Sequence, residues 1–159
     1  MAKILVKGDV IFELTDQHSY SDLLPNAALV LVDKIMAIYN YVKPTHKLFI
    51  DTELVGGYTN SREIYVGLQG GKDKAIQALL HELGHSITFT LVGNQKSMAE
   101  YATQLAFLKF MEEEGISKEQ GMNYYYSLPA EKLADDAAKI LLRDLKREKI
   151  IGEEFEYKW

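Results

Sequence analysis

No cysteine occurs in this chain of 159 residues. Disulfide scaffolds and thiolate metal sites are therefore excluded, and any zinc must draw its ligands from His, Asp or Glu. No apolar run approaches the roughly 20 residues that a membrane-spanning helix requires. An excess of basic charge is also missing. The net charge of −5 argues against nonspecific binding to nucleic acid or to an acidic membrane surface. The one basic run, at residues 143–149, alternates with Asp144 and Glu148, as the solvated face of a helix does. The opening residues are interrupted by Lys3, Lys7 and Asp9 too early for a signal peptide. A cytoplasmic protein is expected, or a secreted one if a leader has been trimmed. Repeats, low-complexity segments and interdomain linkers are absent as well. With 47% apolar and 26% charged residues, residues 1–159 are expected to form one globular domain with a sizeable core.

What is present is organised as strands followed by helices. Residues 3–14 alternate apolar and polar around Gly8-Asp9, which predicts a hairpin or two short strands. Ser21 or Asp22 is a candidate cap for a helix over residues 25–41. Its stripe is Ala28, Leu31, Val32, Ile35, Met36 and Tyr39, and Pro44 ends it. Residues 47–54 and 62–68 read as two strands joined by a turn-rich linker. Helices are predicted over residues 72–92, 97–114 and 129–149, with a short one opened by Ser117. The tail from residue 153 is ambiguous. This order predicts an α+β fold: a small, mostly antiparallel sheet packed on the helix of residues 72–92, then a helical C-terminal half. If the strand at residues 62–68 forms the edge of the sheet, it can pair with an extended peptide.

The predicted helix over residues 72–92 contains His81-Glu82-Leu83-Gly84-His85, an H-E-x-x-H motif. With four histidines in the chain, composition alone yields such a match about one time in a hundred. The spacing puts two imidazoles on one helical face with a carboxylate beside them. Two neutral His nitrogens can hold Zn²⁺, an open position keeps a water, and Glu82 can take its proton. Ile76, Leu79, Leu80, Leu83, Ile87 and Leu91 form a stripe on the opposite side, and Gly84 leaves room beside the metal. Asp73 and Gly93 are the start and stop signals of this helix. A bland reading, two solvated histidines on a surface helix, leaves the glutamate's position unexplained.

A catalytic zinc site needs a third protein ligand. His18 and His46 read as surface residues of a loop and a strand entry, so a carboxylate from a later helix is expected. Glu131 is one candidate. Asp135 lies one turn on, at the edge of an Ala134, Ala138, Leu141 and Leu145 stripe, placed to accept the N–H of a ligating histidine. Glu100 is the other. It lies in the helix after the motif, with Gln104 as its i+4 neighbour, and a tight turn at Gly93-Asn94 can return it towards His85.

H-E-L-G-H followed by the distant run Glu131-Lys-Leu-Ala-Asp-Asp-Ala-Ala resembles the gluzincin peptidases. It is similar to the anthrax-lethal-factor-like and Pro-Pro-endopeptidase group and to the phage-repressor-cleaving zinc peptidases. The resemblance covers residues 62–145. It implies a zincin-like fold, with His81, His85 and Glu131 as zinc ligands and Glu82 as general base. In the lethal-factor-like group a tyrosine seven residues before the glutamate ligand helps to hold the oxyanion, and here that position is Tyr124. The long apolar helix over residues 98–111 departs from the pattern and keeps Glu100 in play. The expected activity is hydrolysis of a peptide or protein substrate. A non-catalytic zinc-binding or protein-interaction module is the alternative from another class, and a structural domain with a chance motif is a third.

Overall fold

The computed structural model describes residues 2–6, 10–14, 26–60 and 62–158. The chain is an α+β protein. Strands β1 (Ala2–Val6) and β2 (Val10–Leu14) pair antiparallel, which matches the predicted hairpin. The Gly8-Asp9 turn lies outside the described residues, as do Ser21, Asp22, Pro25 and His18. Helix α1 (Asn26–Val42) buries Leu31, Val32, Ile35, Ile38 and Tyr39, close to the predicted stripe. It stops where Lys43 adopts φ +51°, one residue before Pro44, which cannot continue a helix. Strands β3 (Lys47–Asp51), β4 (Gly57–Thr59) and β5 (Glu63–Gly67) follow.

The five strands stand in the order β2-β1-β3-β5-β4. The sheet is mixed, not mostly antiparallel. β1 and β5 both run parallel to β3, and only the outer pairs β1–β2 and β4–β5 are antiparallel. The reason is connectivity. β2 and helix α1 together carry the chain from the end of β1 back to the start of β3, and such a crossover allows parallel pairing. The short β4 then reverses the chain before β5. It comes from the segment read as a turn-rich linker, and it takes the edge. β5, the strand expected at the edge, is internal.

Strand periodicity sets which side chains meet the helices. Leu48 pairs with Ile64 and Ile50 with Val66, all four fully buried on one face. Phe49, Tyr65 and Tyr58 stack on the other, with centroids 4.7 and 4.3 Å apart. Thr59 is the register partner of Ile64, so it falls on the helix-facing side of the edge strand.

Helix α2 (Lys72–Val92) carries the motif across this face. Ile76, Leu79, Leu80 and Leu83 are buried as predicted, whereas Leu91, near the end of the helix, is 80% exposed. Gly93 adopts φ +112°, a region side chains disfavour, and joins α2 directly to α3 (Asn94–Glu113). Ser117 caps α4 (Lys118–Ser127) in a capping box with Gln120. Helix α5 (Pro129–Arg147) has proline in its first turn. It buries Ala134, Ala138, Leu141 and Leu145, the predicted stripe, together with Leu142 and Glu131.

α5 crosses α2 at Gly84. A Cβ on Gly84 would lie 2.2 Å from the carbonyl oxygen of Ala134 and 3.1 Å from its Cα. The glycine therefore serves helix contact, where sequence reasoning assigned it to space beside a metal. In a free helix alanine outranks glycine by about 1 kcal/mol. Here Gly84→Ala is expected to destabilise the fold by about 1–3 kcal/mol, because the two backbones must separate. Urea denaturation checks this, and an unchanged or higher midpoint contradicts the close approach.

Candidate metal centre

The crossing of α2 and α5 brings the predicted ligands together. His81 and His85 lie one turn apart on α2, and Glu131 lies in the first turn of α5. One ligand atom from each lies within 4.8 Å of the others. His81 Nε2 donates to Glu131 Oε2 at 2.7 Å, and His85 Nε2 lies 3.2 Å from Glu131 Oε1. The two imidazoles meet edge to face, with centroids 4.7 Å apart. His81, His85 and Glu131 are 4%, 3% and 1% exposed. The ligand face of α2 is therefore covered.

Burial on this scale requires partners, since an unpaired charge inside a protein is costly. Burial alone pushes the Glu131 carboxyl up, but hydrogen bonds from both histidines and Tyr101 and the charge of His85 hold it well below the usual carboxylate range. Burial likewise pulls the His81 imidazole down. The hydrogen bond to Glu131 and the charges of Glu82, Glu131 and Asp135 reverse this and raise it overall. The His81 ring thus stands between two carboxylates, with Nε2 towards Glu131 and Nδ1 towards Asp135.

Asp135 stands where its i+4 spacing from Glu131 placed it. Its Oδ1 accepts from His81 Nδ1 at 3.0 Å. Tyr157 also donates to this oxygen, at 2.7 Å, and its hydroxyl lies 3.1 Å from His81 Nδ1. With Nδ1 committed to the Asp135 side, Nε2 is the nitrogen left for a metal. Among the described residues His85 Nδ1 has no hydrogen-bond partner, and neither does the buried Gln104 Oε1 on α3. Two imidazole nitrogens and an ionised carboxylate, converging and buried, form a donor set that can hold a metal ion.

Glu82 is 5% exposed. Burial raises its pKa, opposed by the charge of His85 and by a hydrogen bond from Thr59. Thr59 Oγ1 donates to Glu82 Oε2 at 2.5 Å. The edge strand therefore grips the carboxylate of the motif glutamate. Thr59 carries no local sequence signal, because its role depends on β4 pairing with β5.

Glu100, the rival ligand, is exposed on α3. Its neighbour Tyr101 faces the cluster instead. The Tyr101 ring lies 5.6 Å from His85, and its hydroxyl donates to Glu131 Oε1 and lies 3.3 Å from the Tyr125 hydroxyl. Burial raises both phenols far above their ordinary range, and the Glu131 charge adds to this. Tyr124 packs its ring against Phe107 at 6.1 Å. Of the three consecutive tyrosines at 124–126, Tyr125 reaches the Tyr101–Glu131 group through its hydroxyl.

His46, read from sequence as a surface residue, is buried at 3% exposure. Its Nε2–H donates to the Asn60 carbonyl at 3.1 Å, so its Nδ1 accepts from the Ser86 hydroxyl at 2.7 Å. Burial lowers its pKa, partly offset by the bond to Asn60. It ties the entry of β3 and the β4–β5 turn to the motif helix, a structural role.

A cleft of about 670 Å³ lies beside the first half of α2. Its walls include Ala78, one turn before His81, Gly56, next to β4, and residues of the segment after α5. None of the cluster residues lines it. No described helix is long and apolar enough to cross a membrane. No family model, curated protein or solved structure matches the chain.

Proposed function

We propose that this protein is a zinc-dependent metallopeptidase of gluzincin type that hydrolyses peptide bonds. The observation that carries the reading is the buried convergence of His81, His85 and Glu131, with Glu82 of the same H-E-x-x-H motif buried on α2 and held by Thr59. His81 Nε2, His85 Nε2 and a Glu131 oxygen would hold the ion. Zn²⁺ in such a site polarises a scissile carbonyl and lowers the pKa of water towards neutrality.

The chain's own residues supply the rest. Glu82 accepts the proton of the attacking water and passes it to the leaving amine. Its raised pKa suits both halves of that task. Thr59 fixes the carboxylate through Oε2, which leaves Oε1 for the water. Asp135 orients His81, and a phenol from Tyr101 or Tyr125 is the nearest candidate for steadying an oxyanion. The assignment of this role to Tyr124 passes to these two. An extended peptide would pair with β4, the outermost strand on the Glu82 side of the sheet. The cleft beside Gly56 and Ala78 would take side chains at one end of it.

One observation favours a second reading, a non-catalytic metal-binding module. All three ligand side chains are buried, and structural sites are closed while catalytic sites keep an open position. Digestion of a diverse peptide pool separates the two. The peptidase reading expects cleavage that stops with a chelator and returns with Zn²⁺. Stoichiometric metal with no cleavage of any peptide would favour the module.

A further inference from the structure

The segment after α5 reaches the metal centre from outside the motif. The last turn gives way at Lys149, at φ +58°, and the chain then folds back along α2. Ile151 and Phe155 are buried in the main core. Gln77, one turn before His81, clasps the far end of the segment: its Nε2 donates to the Lys158 carbonyl at 2.7 Å and its Oε1 accepts from the Lys158 amide at 2.9 Å. Tyr157 sits between these anchors. The backbone is held on both sides, so the phenol is delivered to one place. There it meets Asp135 Oδ1 at 2.7 Å and lies 3.1 Å from His81 Nδ1.

We propose that residues 152–158 form a strap belonging to the metal centre, in which Tyr157 is a positioning residue that holds Asp135 against His81. This rests on the reading of His81, His85 and Glu131 as metal ligands. The Asp135 side chain is 22% exposed, whereas that of His81 is 5% exposed. A carboxylate at the margin of the core can swing to water and leave the imidazole without its partner. The hydroxyl of Tyr157 supplies the second donor to the same oxygen and keeps the carboxylate turned inward. His81 then keeps its proton on Nδ1 and presents Nε2 to the metal. Loosening the strap therefore weakens the site without touching a ligand.

The test is Zn²⁺ affinity by competition with a chromogenic chelator, on wild type, Tyr157→Phe, Asp135→Asn and the double variant. Tyr157→Phe keeps the ring and removes only the hydroxyl. It is expected to bind Zn²⁺ about tenfold more weakly, within the range of partners that orient a ligand, while the urea midpoint of the metal-free protein changes little. The double variant is expected to bind no more weakly than Asp135→Asn, because Tyr157 acts through Asp135. Gln77→Ala, which releases the strap away from the ligands, is expected to weaken Zn²⁺ binding in the same direction and stands in if Tyr157→Phe does not fold. Wild-type affinity in Tyr157→Phe, or in Gln77→Ala where that variant stands in, overturns the proposal, as do fully additive losses in the double variant. Absence of Zn²⁺ binding by wild type overturns the ligand assignment instead.

Discussion

Glu82→Gln is expected to keep the metal and lose peptide hydrolysis by a factor of about a hundred to ten thousand, the usual contribution of a positioned general base. The substitution is nearly isosteric, so the Thr59 hydroxyl retains an acceptor and α2 keeps its packing. A carboxamide cannot take a proton from water, however, and cannot return one to the leaving amine. Because none of the three ligand atoms belongs to Glu82, metal content should stay at the wild-type level. The direction of the Glu82 shift adds a second expectation. A base must be deprotonated to act, so activity is lost as pH falls through its pKa. Burial raises that pKa above the ordinary 4.5 in the metal-free protein, where NMR titration should find the Glu82 carboxyl above the ordinary carboxylate range. Turnover near wild type in Glu82→Gln sinks the mechanism. Loss of both metal and turnover makes Glu82 a structural support of the site.

Glu131→Gln is expected to weaken metal binding by at least about a hundredfold, more than the tenfold to hundredfold typical of residues that merely orient a ligand. The amide preserves volume at a position that is 1% exposed, so the α2–α5 contact is kept. What is lost is the negative charge that balances two histidines and a divalent cation, and one of the two acceptor oxygens that His81, His85 and Tyr101 share. The raised pKa of His81 depends in part on Glu131, so the imidazolium should titrate lower in this variant. NMR titration of the metal-free protein reads that directly. Glu100→Ala is the control. Its carboxylate is exposed on α3, and its removal should leave metal affinity unchanged. A large loss in Glu100→Ala with none in Glu131→Gln would move the third ligand to α3.

The parts of the site that follow local rules are those visible in the sequence. His81, Glu82 and His85 are read from spacing within one helix, and Glu131 and Asp135 from their own i, i+4 relation. The boundaries of α2, α4 and α5 follow from Gly93, Ser117 and Pro129 at the positions where helix chemistry wants them. The remainder depends on contacts between distant segments. Three residues, Gly57-Tyr58-Thr59, are too few to show strand periodicity, so the edge strand and the Thr59–Glu82 bond become evident only once β4 pairs with β5. Tyr101 and Glu100 are adjacent on α3, and the helix's rotation about its axis decides which one faces His85. No stripe on that helix settled the choice, since apolar residues such as Phe107 and Phe110 are exposed on it. Tyr157 and Asp135 are 22 residues apart and meet because the chain reverses after α5. The alternation of Phe155 and Tyr157 with glutamates was the available hint that this tail packs. The burial of His46 has the same origin: its partners, Asn60 and Ser86, lie 14 and 40 residues away.

The same distinction explains the sheet. Alternation identifies strands, but direction and order come from the connections. A helix between β2 and β3 and a single short strand before β5 turned an expected antiparallel sheet into a mixed one. For the site the consequence is favourable. The strand nearest Glu82 is an antiparallel edge strand whose outer side has no neighbour among the described strands.

Zinc per chain, by elemental analysis of protein purified metal-free and reloaded with Zn²⁺, tests the central claim most directly. Near one zinc per wild-type chain and a clear loss in Glu131→Gln is the predicted result. No zinc in the wild type after reloading would contradict the account and leave His81, His85 and Glu131 as a buried ion-paired cluster of the fold.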